Sequence, residues 1–108
     1  MKMRNELDSI VQKYDLINHS FEVFWTNYDT YITDENTKEE AKENGFISRD
    51  SVTAKLHGYS FCVSEDLDFD YIKVCIDCFR KRETLRSIRF WCIYDLNGDL
   101  FDDFFVLE

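Results

Sequence analysis

The spacing with the most chemical potential in this 108-residue chain is Cys75-Ile-Asp-Cys78. A C-x-x-C pair does redox chemistry when it opens a helix, whose N-terminus lowers a thiol pKa. It holds zinc when a tight turn gathers it and a second ligand pair completes the shell. Here the pair sits inside an apolar run of period two, and residues three apart on a strand point to opposite faces. The remaining candidates, Cys62, Cys92, His19 and His57, are neither paired nor regularly spaced. These cysteines read as reduced, buried, structural side chains, with no metal site and no cofactor.

Both histidines fall at expected element boundaries, and neither has a local cysteine or serine signature that would make a nucleophilic dyad. Asp95, Asn97 and Asp99 alternate as calcium ligands do, but Gly98 is misplaced for an EF-hand loop and no glutamate follows at its twelfth position. An Asn-Gly turn accounts for those residues without a metal. There is no P-loop, no G-x-G-x-x-G and no H-E-x-x-H. The expectation is a protein that is not an enzyme.

The elements that must position these residues follow from periodicity. Leu7, Ile10, Val11, Tyr14 and Ile17 form one stripe, which predicts an amphipathic helix over 3–17. Phe21, Val23 and Trp25 alternate with Glu22, Phe24 and Thr26, which predicts a strand over 21–32. Residues 34–45 are polar, and read either as a loop or as a short helix capped by Thr37 with Glu40 and ended by Gly45. Two short strands joined at His57-Gly58 are predicted over 51–63, then strands at 69–80, 87–95 and 100–107. Ile72, Val74, Ile76 and Cys78 share one face. Asn97-Gly98 should turn the last hairpin with positive φ at both central positions. The sum is one α+β domain spanning 1–108, an N-terminal helix packed on an antiparallel meander of about five strands.

Composition narrows the function. Lysine and arginine number 13 against 22 acidic residues, a net charge of −9. That disfavours direct binding of nucleic acid or of an anionic membrane, and it favours a cationic protein partner. The first residues carry acid and no long apolar run, so no signal peptide or membrane span is expected, and the cytoplasm is the expected compartment. Residues 80–91 hold five bases, whereas 58–79 and 92–108 hold five acids each. In a meander the turn near 81–86 lies at one end of the sheet, and the acidic segments 64–70 and 95–99 lie at the other. The expected partner-binding residues are therefore Glu65, Asp66, Asp68, Asp70, Asp95 and Asp99, with Tyr71 and Tyr94 (or Tyr59) as aromatic anchors.

The run Phe90-Trp91-Cys92-Ile93-Tyr94-Asp95-Leu96-Asn97-Gly98-Asp99-Leu100, followed by Asp102-Asp103, resembles the immunity proteins of bacterial toxin–immunity systems, of the contact-dependent inhibition and colicin types. The resemblance implies a role: binding a basic toxin domain, such as a nuclease, and covering its active site. Carboxylates placed where phosphates would lie gain steering and charge-assisted hydrogen bonds. Three other readings compete. A phage or plasmid anti-defence inhibitor mimicking nucleic acid needs carboxylates along an extended face. A small ligand-binding or enzymatic α+β domain needs an aromatic-lined cavity. A subunit of a larger assembly needs an exposed apolar patch.

Overall fold

The computed structural model describes residues 2–108, with side chains from position 5 onward. Helices α1 (Lys2–Lys13), α2 (Leu16–Thr33) and α3 (Lys38–Glu43) lead into strands β1 (Val52–Cys62), β2 (Tyr71–Arg80), β3 (Ile88–Tyr94) and β4 (Leu100–Leu107). The strands form one antiparallel sheet in the order β1-β2-β3-β4. This is the expected α+β meander with four strands in place of five.

Two expectations change: the two strands over 51–63 are one, and the strand over 21–32 is helix α2. Its buried positions, Leu16, Ser20, Phe24, Tyr28 and Tyr31, step by four or three and form one helical stripe. Two features of the sequence hide that stripe. Ser20 is polar yet fully buried, and the aromatic run around it favours strands when read locally. Three threonines would also favour a strand. In α2, Thr26, Thr30 and Thr33 each donate to the carbonyl four residues back, at 2.7–3.0 Å. The expected strand at 21–32 is thus overridden by packing: Phe24 lies against Phe90 and Phe105, at 5.5 and 6.1 Å between ring centroids.

The predicted helix over 3–17 divides near its end. Asp15 adopts φ 51°, a left-handed conformation that aspartate tolerates better than most residues, and the chain restarts as α2 at Leu16. Within 34–45 the short helix is the form adopted. Thr37 stands at its N-cap, but its hydroxyl donates to the Tyr31 carbonyl at 2.7 Å and makes no capping box. Gly45, at φ 86°, ends it, and buried Ala41 and Phe46 hold it to the core.

β1 is one strand and not two. A bulge falls between Leu56 and Gly58, so His57-Gly58 displaces the register where a turn was expected. The last turn also differs in type. Only Gly98 has positive φ (84°), and Asp95 accepts amide hydrogen bonds from Asn97 and Asp99 at 2.9 and 3.0 Å. A Cβ on Gly98 would strike the ring of Tyr14, which fixes the turn against the α1–α2 junction.

The sheet is two-faced. Ile72, Val74, Ile76, Cys78, Ile88, Phe90, Cys92 and Tyr94 are fully buried beneath the helices. Tyr59 pins α1 to β1 by donating to Asp8 at 2.7 Å. Among the described residues, no helix covers the opposite face, and none is long and apolar enough to cross a membrane.

Candidate functional site

Antiparallel pairing decides where the loops go. The β1–β2 connection and the β3–β4 turn emerge at one end of the sheet, because Cys62 pairs with Tyr71 and Tyr94 pairs with both Ile72 and Leu100. The α1–α2 junction reaches the same end through Tyr14. Glu65, Asp66, Asp68 and Asp99 are exposed there, and Asp70, Tyr71 and Asp95 are half-buried. Seven of the eight expected site residues therefore gather on one accessible end.

The eighth does not. Tyr94 is fully buried, and its hydroxyl lies 2.8 Å from His19 Nδ1 and 2.9 Å from Ser20 Oγ. It faces inward with Cys92 and Phe90, so it presents no surface to a partner. Burial pushes its phenol above the ordinary range, with the Ser20 hydrogen bond opposing. It is the polar centre of the core, not an anchor.

Phe69 and Phe101 are the aromatic residues that meet at this end. Their rings meet edge to face at 5.0 Å between centroids, joining the β1–β2 connection to the start of β4, and Phe101 is 52% exposed. Val63, Leu96 and Leu100 are exposed around the same end. The sequence did contain a signal: each phenylalanine lies between acidic residues, in Asp68-Phe69-Asp70 and in Asp99-Leu100-Phe101-Asp102.

The charges of the acidic end are not neutralised locally. Among the described residues, none of Glu65, Asp66, Asp68, Asp70, Asp95 and Asp99 takes part in an ion pair. Asp95 alone has a structural task, holding the amides of its own turn. The Tyr71 phenol is raised chiefly by the neighbouring Cys62 thiol, with lesser contributions from burial and Asp66.

The far end is the reverse. Arg80 donates to the Asn44 carbonyl and to Ser87, Arg86 pairs with Glu108 at 2.7 Å, and Arg49 pairs with Asp29 at 2.6 Å. The hydrogen bond from Arg49 holds the Asp29 carboxyl below its ordinary value. The turn at 81–86 lies opposite the acidic loops, as strand direction requires, and carboxylates pair with Arg49, Arg80 and Arg86 there.

The uncovered face of the sheet holds a second cluster that local reading of the sequence missed. Asp77, 8% exposed, accepts from His57 Nδ1 at 2.8 Å, while its other oxygen lies 3.5 Å from Arg86 and from Arg89. Beside it Trp91 stacks on Phe104 at 5.4 Å, with Lys73 Nζ 5.1 Å from the indole centroid. These residues come from four strands and a turn, so no local spacing announces them.

Within the C-x-x-C, the strand period separates the two sulfurs: Cys78 is buried in the core and Cys75 lies on the uncovered face. Burial pushes Cys78 up to about 12 and Cys92 up to about 11. Burial also raises Cys75, although Lys73 and Arg89 oppose it. Its thiol makes no hydrogen bond with His57 and is not activated. All four cysteines are free, and no group of three potential metal ligands occurs among the described residues.

A comparison with known proteins finds no matching family model, no matching curated protein and no matching solved structure, so the case for a role rests on this geometry.

Proposed function

We propose that this protein is a binding module that docks a cationic protein through the acidic end of its sheet. One observation carries the reading: six carboxylates without a described counter-ion share one end of the sheet with the Phe69–Phe101 ring pair, of which Phe101 is exposed and Phe69 half-buried. Unpaired like charges crowded at one end repel one another and destabilise the folded chain. Lys or Arg on a partner would relieve that repulsion, and the charge would also accelerate encounter. The phenylalanines supply the desolvated centre that slows dissociation, with the carboxylates as its polar rim.

The finer form of this reading is an immunity protein, which covers the active site of a toxin such as a nuclease. A nuclease cleft must carry Lys and Arg to attract phosphate, and a carboxylate-rimmed aromatic pair is complementary to it. Nucleic-acid mimicry is the weaker reading, because the unpaired carboxylates cluster at one end and not along an extended face.

The test is capture from the native host on the tagged protein, at low and high salt, followed by assay of the captured partner. The expected result is a basic protein whose binding weakens with salt and whose activity is blocked in the complex. Capture that ignores salt, or a complex in which the partner stays fully active, would contradict the reading.

A further inference from the structure

The uncovered face of the sheet contains a recess built by the β1 bulge. His57 is the inserted residue, and Gly58 beside it has no side chain and stands opposite Cys75. A Cβ added to Gly58 would meet nothing within 4 Å, so the surface is hollow at that point. The recess has a volume of about 420 Å³ and is lined by His57, Gly58, Tyr59, Ser60, Lys73, Cys75 and Arg89. That is the size class of pockets for small molecules.

Its electrostatics run against those of the molecule. The chain carries a net charge of −9, yet no carboxylate lines this recess, and two full cations and a histidine do. Asp77 lies below them, its side chain 12% exposed, shared among His57, Arg86 and Arg89. Neither arginine hydrogen-bonds that carboxylate: both stand 3.5 Å from Asp77 Oδ1, which is buried without a hydrogen bond of its own. Arg89 Nε is buried without a hydrogen bond, and the remaining guanidinium nitrogens of Arg89 have no described acceptor. Lys73 Nζ has none either, and its one described neighbour is the Trp91 ring. His57 donates Nδ1 to Asp77, which leaves Nε2 unused.

We propose that this recess binds a small molecule through an oxyanion group, carboxylate or phosphate, held by Lys73 and Arg89 with His57 and Ser60 beside them. Asp77 serves as the positioning carboxylate: it holds the Arg89 and His57 side chains in place, so that they need not be ordered on binding. The arginine fork offers paired donors to either oxyanion, and lysine adds a point charge. The partly desolvated floor strengthens the attraction relative to open surface. This inference is independent of the acidic end, which lies on other residues.

The experiment is an NMR titration of the labelled full chain at constant ionic strength, with inorganic phosphate in one arm and succinate in the other. Saturable shifts are expected at the Arg89 side chain, the Trp91 indole and the Gly58 and Cys75 amides, and the tighter ion identifies the oxyanion class. Lys73→Gln should weaken that ion by roughly tenfold, the loss of one charge-assisted hydrogen bond, without lowering thermal stability. Arg89→Lys, which keeps the charge beside Asp77 but removes the fork, should weaken it as well. Absence of saturable shifts in both arms would overturn the proposal. So would shifts of equal size at Lys55, Lys81 and Arg82, or an affinity unchanged in Lys73→Gln.

Discussion

The acidic end of the sheet and the Asp77 cluster on its uncovered face are both groups of charged residues, and they are organised in opposite ways. At the acidic end like charges are crowded, exposed and unpaired. On the open face a nearly buried carboxylate is ringed by three cationic or titratable side chains at 2.8–3.5 Å. The second arrangement is what a stable fold requires of a buried charge. The first, Asp95 apart, makes no described contact that supports the fold, which suits it to the proposed docking. Substitutions separate the two regions, because the open-face carboxylate should matter to stability and the acidic end should not.

The largest effect is expected at Asp77. Asp77→Ala leaves Arg86, Arg89 and His57 without their shared carboxylate, and should cost about 2–3 kcal/mol, reduced from the fully buried case by the partial exposure of both arginines. Denaturant unfolding measures it. A loss below about 0.5 kcal/mol, the range of ordinary surface changes, would show that the cluster is not a structural unit.

Next is Tyr94, which lies beneath the acidic end without being part of its surface. Tyr94→Phe keeps the ring and removes the hydroxyl, leaving fully buried Ser20 without that partner. The expected cost is about 1–2 kcal/mol, with partner affinity unchanged. An affinity loss at unchanged stability would return Tyr94 to the binding surface.

The smallest effect belongs to the exposed pair at the far end. The Arg49 hydrogen bond lowers the Asp29 pKa from its ordinary 3.8, so the pair's contribution is present above that value and fades as pH falls through the lowered one. In Arg49→Gln, the Asp29 carboxyl followed by NMR should titrate near 3.8 again, with little change in stability. A titration unchanged by the substitution would remove the pair from the account.

Much of this was legible from one sequence. Alternation marks β2 and β3 and assigns their faces, because a half-buried strand has a period of two. Once the strands are placed, their direction gives the acidic end without further information. α2 was not legible, since Ser20 sits on its buried stripe and its aromatic and β-branched residues suit either structure locally. Tertiary packing against Phe90 and Phe105 decides it. The bulge at His57 was unreadable for a related reason: a glycine after a histidine signals a turn and a bulge equally well. The Asp77 cluster and the Phe69–Phe101 pair join residues 9 to 32 positions apart, and only the register brings them together.

The most direct test reverses the charges at Glu65, Asp66, Asp68 and Asp70 together and measures both stability and affinity for the captured partner. The account predicts unfolding free energy unchanged or slightly raised, because like-charge repulsion is relieved, and affinity lower by at least about tenfold. A variant that folds as well and binds as tightly as the native chain would contradict the central claim that the acidic end is the docking surface.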